Sequence, residues 1–316
     1  MTVFRFVYWI LWGDLITIPL PGGSTLGLSL LVLLLIPSGI YFTVRTRFLL
    51  FRRFGDVLKI AVEKKTSTQK HSISGLQALI ISTATRVGMG NLVGVVAAIS
   101  IGGAGAVFWM WVTALLGSST AFAEATLAQI YKEKDPLYGG YRGGPAYYIH
   151  HFFVKEEGKK KRSVIAVLFA ISGLICWCGI SQVIGNSVSS AFKNAFHIPP
   201  VWTTAVLVLI AAVIVLRRDA TVKVLDIIVP IMAGFYFLLT LIIIVMNIGQ
   251  LPAVFSRIFS EAFGLRQAAA GGFGAVLMNG AKRGLFSNEA GSGSAPCAAA
   301  AAHRYVAAAI RSPITR

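Results

Sequence analysis

The sequence predicts an all-α, polytopic membrane protein, on three observations. Five runs contain no Asp, Glu, Lys or Arg: 15–44, 87–123, 163–192, 194–216 and 227–256. Each is at least as long as the ~20 apolar residues that cross a bilayer. The composition agrees, with 56% hydrophobic and 13% charged residues and a mean hydropathy of +0.73, against about 25% charged in soluble domains. Finally, 19 of the 29 Lys and Arg residues fall in 45–71, 132–162 and 217–223. Those segments are alternate connections between the apolar runs, which is the positive-inside pattern. The net charge of +17 is therefore a topology signal and excludes nucleic acid as its explanation.

With those loops in the cytoplasm, the N-terminus lies outside, and Trp9 and Trp12 are interfacial anchors. The late, long first run argues against a cleaved signal peptide. The first span covers 17–44 and enters the cytoplasm at "VRTRF". A second, 74–101, runs outward, "GGAGA" at 102–106 turns the chain, and 107–130 returns. After a basic loop, 163–192 goes out, "HIPP" at 197–200 turns, 201–216 comes back and 224–248 goes out again. Residues 249–267 form a periplasmic loop, and 268–287 starts inward. The result is one transmembrane domain over 1–316 with seven spans. All are helical, because lipid satisfies no backbone polar group and no ten-residue segment alternates as a barrel strand would.

The stretch "TRVGMGNLVGV" at 85–95 interrupts this pattern with three glycines, an asparagine and Arg86. One reading is a helix break at mid-membrane. There a new helix starting near Asn91 favours a carboxylate, and the one ending near Val87 offers carbonyls to a cation. The other is close helix packing, since Gly90 and Gly94 form a GxxxG pair. Arg86, about 12 residues or ~18 Å into its span, favours the break, because a buried charge is expensive and usually functional. Glu124 is the second intramembrane ionisable group, as a partner for Arg86, an interfacial group, or a cation- or proton-coupling site. Gln182 and Asn186 share one face and either line a cavity or bond a neighbouring helix. "GLFSNEAGSGSAP" at 284–296 reads as a polar turn before an alanine-rich helix, and "GGYRGGPAYYI" at 139–149 as a turn followed by an interfacial segment. Neither is a phosphate loop. "CWC" at 176–178 points its thiols apart and is no metal clip. The five histidines lie in loops or beyond the spans, which argues against an integral-membrane enzyme and leaves no catalytic residues to assign.

Four stretches carry a resemblance: "RVGMGNLVGVVAAISIGGAGAVFWMWVTALLGSSTAFAEATLAQIYK" (86–132), "RGGPAYYI" (142–149), "VMNIGQLP" (245–252) and "RGLFSNEAGSGSAPCAAAAAA" (283–302). Together they resemble the alanine or glycine:cation symporters (sodium:alanine symporters) of the amino acid–polyamine–cation superfamily. The resemblance implies the LeuT-like inverted-repeat fold, two repeats of five helices preceded by one extra helix, which is the span at 17–44. The span at 74–101 becomes the first core helix, unwound at Val87–Asn91. The last segment becomes the sixth, with Asn279 and Gly280 near its break. Amides around Gly88, Met89, Gly90 and Asn91 would take the substrate carboxylate, and the carbonyls of Ala84 and Val87 would serve sodium. No cofactor is implied beyond sodium as coupling ion.

Three departures qualify the likeness. Met89 replaces a small hydroxyl residue, Ile184 replaces a substrate-facing glutamine in the fourth span, and Arg86 occurs in only part of the family. The family pattern also continues for four more core helices, so a C-terminally truncated core is expected. The expected function is sodium-coupled symport of alanine or glycine across the cytoplasmic (inner) membrane by alternating access. The alternative is a non-transporting fragment, or a half-transporter needing a second polypeptide.

Overall fold

The computed structural model describes residues 3–19, 25–56, 89–136, 140–154, 163–216, 218–263 and 273–301. These residues are mostly helical, as the charge-free runs require. Two helices among them are long and apolar enough to cross a membrane, Gly105–Ile130 and Val164–Phe196, and a bent pair, Ile231–Met246 with Ile248–Ala262, counts as a third if it is one span. The chain divides into two units: 1–59 with 91–124 and 240–292, and 60–90 with 125–239 and 293–316.

The first unit opens with helix α1 (Val3–Trp12), a β-hairpin of β1 (Ile16–Pro19) and β2 (Thr25–Leu28), and helix α2 (Leu30–Arg45). The strands pair antiparallel, Ile16 opposite Leu28 and Pro19 opposite Thr25. This corrects two expectations, the uninterrupted helical span over 17–44 and the strictly all-α chain. The punctuation is in the sequence: Pro19, Pro21, Gly22 and Gly23 cannot extend a helix, while Ile16, Thr17, Ile18 and Thr25 suit a strand. Absence of charge alone does not distinguish a hairpin from a helix; the prolines and glycines do.

A short helix, α3 (Leu49–Arg52), follows α2. Helix α4 (Met89–Gly102) opens on two residues of the second unit, Met89 and Gly90, and continues in the first. Helix α5 (Gly105–Ile130) follows after a turn with Gly103 at φ 74°. Its first 20 residues, through Glu124, belong to the first unit. Helix α2 packs on α5 through Gly39 against Leu116, and the Thr43 hydroxyl donates to Ser119 Oγ at 2.9 Å. Residues 249–267, expected as a loop, contain instead helix α10 (Leu251–Ala262). Its apolar residues Leu251, Val254, Phe255, Ile258 and Ala262 recur every three or four positions, and Pro252 near its start suits a first turn. Helix α11 (Phe273–Asn288) packs on β2 and α2, where Val32, Met278 and Leu285 are buried with Leu26, Leu28 and Leu35 around them.

The second unit holds the last residues of α5, the two-residue strands β3 (Glu133–Lys134) and β4 (Tyr141–Arg142), and α6 (Pro145–Phe153). It also holds α7 (Val164–Phe196), α8 (Pro200–Leu216), most of α9 (Arg218–Met246) and α12 (Ser294–Ala301). Pro145 starts α6 after Gly144 at φ 129°, a backbone state that L side chains rarely adopt. Ser163 caps α7, its hydroxyl accepting from the Ala166 N–H. Gln129 donates to the Ala299 carbonyl, and the Lys132 ammonium donates to Gln129 Oε1 at 2.8 Å. Long stretches of α7 and α8 carry exposed apolar side chains, Leu174 and Ile175 each at 69%. In water this would be a large aggregation surface; on a 33-residue helix whose one charged residue is Lys193, in its last turn, it suits an apolar environment such as lipid.

Candidate functional site: a helix break beside a tight seam

Helices α5 and α11 meet in the first unit along a line of small residues. A Cβ on Gly280 would overlap the Ala106 carbonyl and Trp109, one on Gly284 would overlap Thr113 and Met110, and one on Gly117 would overlap the Asn288 amide. Gly280, Gly284 and Asn288 are four residues apart and so share one face of α11. Ala106, Thr113 and Gly117 supply the opposing face. The two backbones approach as closely as these residues allow, the geometry by which membrane helices associate when lipid removes the hydrophobic drive between them.

The seam ends where α11 stops. Asn288 Nδ2 donates to the Thr113 carbonyl at 3.1 Å, and its Oδ1 accepts the Ala290 N–H at 2.9 Å. The chain then leaves helical geometry through Glu289 (φ 54°), Gly291 (φ 84°) and Gly293 (φ 91°), before α12 begins at Ser294. The glycines are at home there, whereas Glu289 bears a cost of about 1–3 kcal/mol for a left-handed state without glycine. Glu124, on α5, closes the arrangement: its Oε1 accepts the Gly291 N–H at 2.8 Å.

The turn at the other end of α5 is also held by a carboxylate. Glu261, at the end of α10 and 11% exposed at its side chain, accepts the Ala104 N–H at 2.7 Å and the Arg257 Nε–H at 2.6 Å. Trp109 Nε1 donates to the Ala262 carbonyl at 3.0 Å, and Phe108 packs edge-on against Phe259. Burial acts to raise the Glu261 carboxyl, but the Arg257 guanidinium and the N–H groups of Ala104 and Gly105 outweigh it and hold it below the ordinary glutamate range. Further along α11, the Lys282 ammonium donates to the Trp12 carbonyl at 3.0 Å and to Asp14 Oδ1 at 2.9 Å. The Arg283 guanidinium lies 6.0 Å from the Trp12 ring centre. The N-terminal segment thus supplies partners for both cations of α11.

The residues expected from the sequence are distributed unevenly. Ala84, Arg86, Val87 and Gly88 lie outside the described residues, and with them any pairing of Arg86 with Glu124. Met89 and Gly90 are already the first residues of α4, and Asn91 is half-buried within it, so 89–91 are helical and not unwound. A Cβ on Gly94 would lie 3.9 Å from Arg283 Cδ, a packing role for that glycine. Asn279 donates to its own helix, at the Ala275 carbonyl, and Gly280 is in the seam. Helix α11 therefore does not break at Asn279–Gly280. Gly280 packs on α5 while Asn279 bonds back to its own helix, and the break falls at Glu289–Gly293. Ile184 is 41% exposed on α7 in the second unit, with Gln182 and Asn186 also exposed. The sequence reading did not find Asn288, Gly291 and Gly117 as a set, nor Glu261. Gly280, Gly284 and Asn288 at four-residue spacing were the available signal.

The sequence profile of the sodium:alanine symporter family matches residues 22–310, nearly the whole chain. The chain belongs to the sodium:alanine symporter family. Relatives include a probable sodium/glutamine symporter of Bacillus subtilis, 45% identical over 281 residues, with 87% of this chain and 56% of the relative covered. A putative sodium/proton-dependent alanine carrier protein of the same organism is 45% identical over 275 residues, covering 86% and 54%. The sodium/alanine symporter of Methanococcus maripaludis is 40% identical over 275 residues, covering 86% and 60%. This symporter-family chain thus spans a little over half the length of these curated relatives. Their names describe carriers, not enzymes, and membership places the chain in the membrane, in keeping with its apolar helices.

Proposed function

We propose that the protein is a sodium-coupled symporter of a small neutral amino acid, alanine or glycine, working by alternating access in the cytoplasmic membrane with its N-terminus outside. The observation that carries this reading is the family match over 22–310, supported by a strained, glycine-containing helix break at Glu289–Gly293 in an otherwise apolar helical chain. Broken helices at mid-membrane expose amides and carbonyls that a continuous helix uses up, and these are the groups that hold substrate carboxylates and coupling cations.

In this reading the fold is LeuT-like, with α4 belonging to the first core helix and α11 with α12 forming the sixth. The amides near Gly88–Asn91 take the substrate carboxylate, and the carbonyls of Ala84 and Val87 contribute to a sodium site. Met89 brings bulk where the family usually has a hydroxyl, and so narrows the choice of substrate side chain. Arg86 remains a candidate for a coupling or structural charge. The expectation of a second polypeptide finds no support among the relatives and is not carried further.

The relatives' names differ in amino acid (glutamine or alanine) and in coupling ion (sodium or sodium/proton), and the test follows from that difference. Membrane vesicles containing the intact protein are given labelled alanine, glycine or glutamine, with sodium or choline outside and with or without a proton gradient. Sodium-stimulated uptake of alanine or glycine is expected. Uptake of glutamine alone would overturn the substrate, and uptake that follows the proton gradient with no response to sodium would overturn the coupling ion.

A further inference from the structure

We infer that Glu124 is a positioning residue: it acts as a hydrogen-bond acceptor that holds the α11–α12 break open through the Gly291 amide, and its charge is not itself the coupling element. Three features carry this. First, one carboxylate oxygen is directed at the backbone, Oε1 accepting the Gly291 N–H at 2.8 Å. A carboxylate serving as a proton carrier needs a titrating route, whereas one holding a turn needs an acceptor oxygen at a fixed place. Second, the turn it holds is strained, since Glu289 at φ 54° is left-handed without being glycine. Such a residue persists only where its surroundings fix it. Third, a second contact at the end of α11 comes from the same helix. Asn288 reaches the Thr113 carbonyl across Gly117, and Thr113, Gly117 and Glu124 recur on one face of α5. One face of α5 thereby supplies two acceptors at the end of α11, the Thr113 carbonyl and Glu124 Oε1.

The consequence for transport rests on the reading of the protein as a symporter. The break would be kept in its open geometry before substrate arrives, so loss of the acceptor should weaken substrate binding more than it slows turnover. Glutamine keeps an acceptor oxygen at the same reach and loses the charge, alanine loses both, and aspartate keeps the charge but falls one methylene short.

The experiment compares the intact wild-type protein with E124Q, E124D and E124A in two measurements. In uptake, E124A and E124D are expected to raise the KM for the transported amino acid by about tenfold, as loss of a charge-assisted hydrogen bond should. E124Q is expected to stay within about threefold of wild type with an unchanged pH profile. In hydrogen–deuterium exchange, the peptide covering 288–294 should exchange faster in E124A and at the wild-type rate in E124Q, while peptides from α7 stay unchanged in both and report intact folding. Equal impairment of E124Q and E124A overturns the inference, because the charge is then what matters. Wild-type exchange over 288–294 in E124A also overturns it, whatever transport does. If the wild type takes up no amino acid, the proposed function fails, and the exchange comparison still decides the role of Glu124.

Discussion

The α5–α11 seam and the α7–α8 pair use the same lipid-soluble composition in opposite ways. Along the seam, glycine, alanine, threonine and asparagine face one another, and the contacts are backbone approach and hydrogen bonds. Along α7 and α8, the faces are built from leucine, isoleucine and valine standing exposed. In water the large apolar residues would be inside and the polar ones outside. Here bulk marks the surface left exposed among the described residues, and smallness marks the surface packed on protein. Identical residue types therefore carry different meanings on the two pairs. A glycine of α7 such as Gly179 meets nothing among the described residues within 4 Å of where its Cβ would be, its own helix backbone aside, while Gly284 has no room for one.

The contrast can be broken most sharply by a charge on the lipid face. Leu174→Lys should cost about 2.5–3.5 kcal/mol of insertion free energy at mid-helix and reduce the inserted fraction in a glycosylation-mapping assay. Normal insertion would mean that this face of α7 is not turned to lipid. Next in size is Gly284→Leu, which forces a branched side chain into Thr113 and Met110. It should destabilise by about 1–3 kcal/mol through overpacking, read as a lower melting temperature in detergent. Gly179→Leu is its control and should be neutral or slightly stabilising, by less than about 1 kcal/mol, from helix propensity alone. Equal effects at the two glycines would erase the distinction between seam and surface.

The smallest effect tests the α10 end of the seam. Because the folded protein holds the Glu261 carboxyl below its ordinary value, its contribution is fully present above the unfolded-state pKa of about 4.3. It is lost as pH falls through the lower, folded-state value. The melting temperature of wild type should therefore fall towards that of Glu261→Gln between neutral and acidic pH, and the gap between them should close. A gap that stays constant would show that the carboxylate is not what fastens α10 to the α4–α5 turn.

The helical character of the chain was legible, because long stretches without charge leave the backbone no partner but itself. What runs of composition conceal is shape within them. The hairpin Ile16–Leu28 lies in the same charge-free run as α2, and only its prolines and glycines distinguish the two. Helix α10 had a readable apolar stripe, overshadowed by its place in a stretch between two apolar runs. The break showed the opposite problem. "SNEAGSGS" carried every local sign of a turn, yet the likeness to a family directed attention to Asn279–Gly280, which the seam keeps helical. Glu124 stood out as a lone carboxylate beside an apolar run, but one of the groups it holds is a backbone amide 167 residues away. No spacing rule reaches that far, since an amide has no residue identity to mark it.

Helix α5 is fastened at two points by carboxylates, Glu261 at the turn before it and Glu124 on its own face. These points lie 20 residues apart, about 30 Å along the axis at 1.5 Å per residue. A helix cannot shorten between its fixings without breaking its own hydrogen bonds. It therefore acts as a strut: while its hydrogen bonds hold, the Ala104 and Glu124 fixings keep a set separation along α5.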